Sequence, residues 1–235
     1  MNLVLLLDGD LVGPGRARLT GRRFAHVRDV HRAEAGKPLR VGLLGGLKGR
    51  GRVTAMGEAS LDLAFDLDEA PPPKLPLTLL VALPRPKVLN RLVASATSLG
   101  VARLVLLNAW RVEKSYWKSP RLEPESLRAQ MLLGLEQACD TVLPELRLAR
   151  LFLPFVERDL PALASGSRRL VAHPGAVAAC QRAVEGPVTL ALGPEGGWID
   201  AEVASLEQAG FEPVSLGPRI LRTETAVAAL AGRLA

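Results

Sequence analysis

The sequence predicts an α/β protein in two parts, a small amino-terminal β-barrel and a larger domain built on a mostly parallel sheet. Three observations point there. The stretch Ala70-Pro71-Pro72-Pro73-Lys74-Leu75-Pro76 holds three consecutive prolines, which lock φ and remove backbone donors, so neither a helix nor a central strand continues through it. Residues 71–76 therefore read as a stiff linker. Before the linker, short β-like runs are parted by glycine-bearing turns. After it, apolar strand candidates alternate with helix-period segments, the pattern of βα units. The expected domains are 1–70 and 77–235, and 235 residues suit two domains at roughly 100–200 residues each.

In the first domain the strand candidates are residues 3–7, 39–44, 52–56 and 61–65, with one short helix over 22–31. In the second they are residues 77–83, 103–107, 170–173, 187–192 and 212–216. Val88, Leu92, Ala96 and Leu99 fall at i, i+4, i+8 and i+11, and Leu127, Met131 and Leu135 at i, i+4 and i+8, so each set lines one helix face. Asp200 reads as an N-cap with Glu202 in the first turn, and Gly210 as the residue past the end of a helix over 201–209. Thr223 reads as the cap of a last helix whose Val227, Leu230 and Leu234 share a face.

Hydrophobic residues make up 48% of the chain, enough to close cores, which excludes a disordered or fibrous protein. The longest apolar runs, such as residues 3–7 and 79–83, fall far short of the ~18 residues of a membrane span. Asp8 and Asp10 interrupt the one candidate export signal, so a cytoplasmic protein without a membrane partner is expected. Cys139 and Cys180 lack CxxC spacing and the chain has three His, so no metal set forms and both thiols read as packing residues. The formal net charge is +6, and it is concentrated: residues 14–52 hold eleven Lys or Arg against Asp29 and Glu34, 11 − 2 = +9. Such a field suits an anionic partner.

The strand candidate ending at Leu192 runs directly into Gly193-Pro194-Glu195-Gly196-Gly197 and then a helix, the place where open α/β sheets bind ligands. The same turn also serves simply to connect a strand to a helix. It lacks the Lys-Ser/Thr ending of a P-loop and the GxGxxG spacing of a dinucleotide site, and Glu195 would repel a cradled phosphate. A second loop, residues 216–226, follows the next strand candidate, and two adjacent loops can form one pocket.

Residues 192–230, LGPEGGWIDAEVASLEQAGFEPVSLGPRILRTETAVAAL, closely resemble the cofactor site of RsmE-type enzymes, members of the SPOUT methyltransferases that make N3-methyluridine in small-subunit (16S) ribosomal RNA. More weakly, the resemblance extends to the whole chain, with a basic PUA-like amino-terminal barrel around Arg22-Arg23-Phe24-Ala25-His26-Val27. It implies a carboxyl-terminal trefoil knot, a rare exception to unknotted topology, and a homodimer. It also implies S-adenosylmethionine as cofactor, held by Leu192, Gly193, Pro194, Gly196, Gly197, Leu216, Gly217, Ile220, Leu221, Arg222, Thr223 and Ala226.

Uridine N3 bears a proton at neutral pH, and the charge left on its removal spreads onto the flanking carbonyl oxygens. Arg219 and Arg222 are the candidates to stabilise that charge, and Glu195 and Glu224 to take the proton, although each carboxylate has the alternative of pairing an Arg or capping a helix. The expected RNA-binding residues are Arg16, Arg22, Arg23, Arg28, Arg85, Arg111, Lys114 and Lys118. The last three belong to a segment from Asn108 to Lys118 in which basic and aromatic residues interleave, either an RNA-stacking surface or a loop whose Trp side chains pack down. The partner is ribosomal RNA of the small subunit, free or in the assembled subunit. Ser98-Leu99-Gly100-Val101 stands where the family usually has Glu-Leu-Gly-Val, and Glu136-Gln137-Ala138-Cys139-Asp140 where it has Glu-Gln-Ser followed soon by Arg. Those departures leave the exact RNA target open, and the alternatives are a SPOUT enzyme for another RNA position or a ribose 2′-hydroxyl, or a non-catalytic RNA-binding ribosome-assembly factor, against which the intact glycine motif counts.

Overall fold

Alternating burial builds the first sheet. In the strand Arg16–Thr20, Ala17 and Leu19 are fully buried while Arg16, Arg18 and Thr20 face solvent, the period of a half-buried strand. The computed structural model describes residues 2–30, 32 and 34–234. Two compact units emerge, Met1–Pro73 with Leu132–Leu143, and Lys74–Met131 with Pro144–Ala235.

The first unit runs β1 (Val4–Leu6), β2 (Leu11–Gly13), β3 (Arg16–Thr20), α1 (Gly21–Asp29), β4 (Pro38–Leu43), β5 (Lys48–Met56) and β6 (Ser60–Glu69). The sheet order is β1-β4-β5-β6-β3-β2, with β1 parallel to β4 and the other pairs antiparallel. Leu6, Leu19, Val27, Val41, Val53 and Leu61 form its core. At Gly49 the β5 and β6 backbones come so close that a Cβ would lie 2.2 Å from the Asp66 carbonyl oxygen, and the pairing shifts register there. Only glycine allows that approach.

All four strands expected in this part are present, β5 and β6 longer than expected, and β2 and β3 are additional. The helix begins one residue earlier than expected, and His31, its expected end, lies outside the described residues. Residues 132–143 join this unit although the sequence assigned them to the second domain, because Leu132, Leu135 and Leu143 pack with Leu3 and Leu5 in a separate apolar cluster.

The second unit contains β7 (Leu75–Ala82), α2 (Pro86–Ser98), β8 (Val101–Leu107), α3 (Pro124–Ala138, shared with the first unit), β9 (Glu145–Ala149), α4 (Phe152–Pro154) and α5 (Leu160–Leu163). It continues with β10 (Arg168–Ala172), β11 (Val188–Leu192), α6 (Asp200–Gln208), β12 (Glu212–Val214) and α7 (Thr223–Leu234). The sheet order is β12-β10-β11-β7-β8-β9 and every pair is parallel. From β7 the chain runs outward to β8 and β9 on one side, while β11, β10 and β12 fill the other, so strand order reverses at β7. A crevice opens at such a point.

The linker ends earlier than expected, because Leu75 and Pro76 already belong to β7. Pro76 is tolerated there because the β7–β8 pairing shifts register between Leu75 and Thr78, where a ladder donor is not needed. Glu145–Ala149 is a strand the sequence reading missed. Asp200 is the first residue of α6 rather than its cap; Glu202 Oε2 instead accepts the Ile199 N–H at 3.1 Å. Gly210 has φ +84° past the end of that helix, and its N–H donates to the Glu207 carbonyl at 2.8 Å. No helix among the described residues is long and apolar enough to cross a membrane.

Candidate active site

Four strands of the second unit end at one cleft of about 850 Å³, within the usual size of a small-molecule site. Arg85 follows β7, His173 to Gly175 follow β10, Leu192 to Trp198 end and follow β11, and Val214 to Glu224 end and follow β12. All twelve residues expected to hold a cofactor line this cleft, as do Arg219, Arg222, Glu195 and Glu224. Arg219, Ile220, Leu221 and Arg222 are exposed along its wall, Thr223 is buried at the start of α7, and Gly217 has φ +113°, a conformation costly for any side-chain-bearing residue.

The glycine loop is held closely by its neighbours. A Cβ on Gly193 would meet the Trp198 backbone nitrogen at 3.1 Å and its indole at 3.2 Å, and one on Gly196 would meet Arg111 Cδ at 3.1 Å. Gly197 turns at φ +74°, with its N–H on the Pro194 carbonyl at 2.8 Å. Arg111 donates through Nη1 to the Gly196 carbonyl, and Glu202, 5% exposed, accepts the Trp110 N–H at 2.7 Å. Trp198 lines the cleft, and its indole nitrogen is buried without a hydrogen-bond partner among the described residues. A buried donor of this kind is costly unless something absent from the chain accepts from it.

The two carboxylates sit in different settings. Glu195 Oε1 accepts the Arg85 N–H at 3.1 Å, with the Arg85 guanidinium 3.9 Å away, and Glu224 Oε1 lies 3.5 Å from Arg91 Nη2. Arg219 and Arg222 have no ion pair among the described residues, so two full positive charges face the cleft. His173, not expected from the sequence, accepts the Gly175 N–H on Nδ1 at 3.2 Å. Trp198 and Val88 line the cleft too and were not expected there. The Pro-Gly turn directly after a strand candidate was the available signal for His173, and the place directly after Gly197, inside the resembling segment, was the signal for Trp198.

The expected RNA-binding residues divide. Arg85 and Arg111 line the cleft, while Lys114 and Lys118 lie on a 3₁₀ turn, Lys114–Lys118, outside it. In the first unit Arg16 is exposed, Arg28 pairs with Asp29 at 2.6 Å, and Arg22 forms a two-pronged pair with buried Glu136 at 2.9 and 3.0 Å. Arg23 is engaged within its own unit. Its guanidinium is spent on both oxygens of Asp10 and on the Leu5 carbonyl, and its side chain is only 16% exposed. Cys180 is buried, and burial pushes its thiol above the ordinary value, consistent with a packing role. Among the described residues no cluster of three or more His, Cys, Asp or Glu could hold a metal.

An all-parallel sheet with a ligand cleft at its strand-order reversal defines an open α/β binding domain. Residues 71–235 match the family described as RNA methyltransferase domain. The chain is 31% identical to a ribosomal RNA small subunit methyltransferase E from Treponema pallidum, over 97% of this chain and 88% of that one. It is 29% identical to the protein of the same name from Synechocystis, over 88% and 69%. The crystal structure of a ribosomal RNA small subunit methyltransferase E from Neisseria gonorrhoeae bound to S-adenosyl methionine has the same fold, with a TM-score of 0.75, 22% identity, and 98% and 95% of the two chains covered. The chain belongs to the RNA methyltransferase family, and within it to the ribosomal RNA small subunit methyltransferase E proteins.

Proposed function

We propose that this protein transfers a methyl group from S-adenosylmethionine to N3 of a uridine in small-subunit ribosomal RNA. The observation that carries the reading is the cleft itself, in which the loop after β11, beside the strand-order reversal, and the loop after the edge strand β12 bring together a glycine cradle and two arginines with no ion pair among the described residues. The residues present fit the cofactor: Trp198 offers an unused buried donor, and Gly193, Gly196 and Gly197 leave backbone open where side chains would crowd the loop. Leu192, Pro194, Leu216, Ile220, Leu221, Thr223 and Ala226 supply the remaining walls.

When bound, the cofactor supplies a methyl group already activated by a sulfonium. The chain's own task is to position the acceptor and make it nucleophilic. Arg222, with Arg219 beside it in the loop, stabilises the negative charge that spreads over the uracil carbonyls once N3 is deprotonated. Glu195 and Glu224 are the proton acceptors within the cleft. Arg85 holds Glu195 through its backbone N–H, and Arg91 approaches Glu224, which fixes where each carboxylate points.

The same reading includes a PUA-like barrel for the first unit, a trefoil knot at the carboxyl end, a homodimer and a cytoplasmic site of action. What supports the knot is the way the loop between β10 and β11 ties down the end of the chain. Ala183 and Val184 donate to the Arg233 and Leu234 carbonyls at 2.9 and 3.1 Å, and Arg233 Nε donates to the Cys180 carbonyl at 2.6 Å. Ala178 and Cys180 bracket Ser215, just past β12, in a parallel bridge. Mass spectrometry of ribosomal RNA from cells with and without the gene tests the function. Loss of N3-methyluridine is expected, and an unchanged modification profile sinks the proposal.

A further inference from the structure

Resting on the function proposed above, we infer that Trp110 is a stacking platform for an unpaired base of the RNA substrate, mounted on the frame of the cofactor loop. The chain has three tryptophans, and two are committed to the fold. Trp198 is 5% exposed, while Trp117 donates to Asn108 Oδ1 at 2.8 Å and lies beneath the Arg150 guanidinium, 5.1 Å from its ring centre. Trp110 is 78% exposed. An indole left in water gives up the apolar contact that makes Trp valuable in a core, so its exposure needs an occupant.

The backbone beneath that indole is fixed. The Trp110 N–H is held at 2.7 Å by Glu202, a buried carboxylate that also caps α6, and the next residue, Arg111, bonds the Gly196 carbonyl and lines the cleft. Trp110 is therefore carried on the same hydrogen-bonded frame as the glycine loop. With the backbone fixed in advance, only the two side-chain torsions of the indole remain to be ordered on binding.

Charge selects the occupant. Residues 110–122 hold Arg111, Lys114, Lys118 and Arg121 against Glu113, 4 − 1 = +3. A second copy of the same surface would meet it with like charge, whereas an RNA strand brings phosphates for the cations and base faces for the ring. No base sequence is read by stacking alone, so the platform would serve the unpaired nucleotides flanking the target and orient the target toward the cleft.

The test uses the full-length protein with Trp110→Ala and Trp110→Phe. Affinity for a labelled oligouridylate is followed by anisotropy, and methyl transfer to small ribosomal subunits is measured with kcat and KM separated. Trp110→Ala should weaken oligouridylate binding and raise the RNA KM on the order of 10-fold, the scale of one stacked base, with kcat, cofactor affinity and Tm unchanged. Trp110→Phe should recover most of the loss. A wild-type RNA KM and oligouridylate affinity in Trp110→Ala overturn the inference. So does a change in association state by sedimentation with RNA affinity intact, because the indole then covers a second copy. The underlying reading fails separately, as absence of methyl transfer by the wild-type protein, whereas oligouridylate affinity still reports on Trp110.

Discussion

Arg18, Arg22, Arg23, Arg28 and Lys48 of the first unit each reach a carboxylate, whereas Arg219 and Arg222 of the second line a cleft with no ion pair among the described residues. By sequence the first group looked like the stronger electrostatic feature. Its partners Asp10, Asp62, Glu69 and Glu136 all come from outside residues 14–52, so the +9 of that window becomes 9 − 4 = +5 once they are in place. A run of cations along the chain therefore does not measure the field they create. Unpaired charge beside a cavity is the better pointer to chemistry, because a folded protein that leaves a cation unpartnered there forgoes a stabilising contact.

Removing a cation should therefore cost activity in the second unit, and removing a partner should cost stability in the first. Arg222→Ala is expected to give the largest effect, a fall of about 100- to 1000-fold in methyl transfer, the usual result of losing one donor to a developing oxyanion. Its Tm should not move. Single-turnover kinetics and thermal melts decide the matter, and near-normal turnover would remove Arg222 from the mechanism.

Asp10→Ala comes next and has the opposite signature. It leaves the Arg23 guanidinium, only 16% exposed, without its carboxylate and also removes the acceptor of the Leu7 N–H at 2.7 Å. Breaking a fully buried pair costs ~3–5 kcal/mol; with this partial exposure a loss of about 2 kcal/mol is expected, read by denaturant titration. Tighter RNA binding without loss of stability would mean that Arg23 is an RNA contact held back by Asp10, and the contrast between the units would break.

Gly196→Val probes the cradle. Its Cβ would start 3.1 Å from Arg111 Cδ, so Arg111 must shift and its bond to the Gly196 carbonyl is disturbed. Cofactor affinity by calorimetry should drop about 10-fold, roughly 1.4 kcal/mol. An unchanged affinity would detach the glycine loop from the cofactor.

The legible parts of this molecule were those with a short period or a local cause. The apolar runs at β7, β8, β10 and β11 were found because strands buried on both faces read as continuous hydrophobic stretches. Strand β3 is hidden in the sequence because its alternation is carried by arginines, Arg16-Ala17-Arg18-Leu19, and reads as charge rather than as a pleat. The assignment of residues 132–143 could not be read either, since α3 continues unbroken through the change of unit and the cause is distant packing on Leu3 and Leu5. In the site, the two loops were legible through glycines and a resemblance spanning both. Trp198 comes to the cleft on the glycine loop itself, whereas Arg91 on α2 and His173 after β10 join it through strand order, which no local pattern encodes. Trp110 and Trp117 show the same limit within one segment, because their similar contexts gave no means of telling the packed ring from the exposed one.

The smallest expected effect concerns pH and again separates the units. Burial lowers the His26 pKa from its ordinary value near 6.5, so as pH falls the unfolded chain takes up the proton before the folded one does. The stability that neutral His26 contributes is therefore complete above about pH 6.5 and declines as pH drops through that value toward the folded one. Hydrogen bonds from Arg28, Arg18 and Lys48 hold Asp29, Asp62 and Glu69 below the usual carboxylate range. Those contributions are lost only at lower pH, below about 4.4, and are small because the pairs are exposed. Melts of the wild type and His26→Asn between pH 7.5 and 5.5 isolate the first effect, since the carboxylates stay ionised there. The wild-type Tm should decline with falling pH and the variant should flatten that slope, while the pH dependence of methyl transfer, set by groups lining the cleft, stays the same in both. A shared change in the transfer profile would show that His26 acts on the reaction as well as on the fold, and the division of labour drawn between the two sets of charges would have to be redrawn.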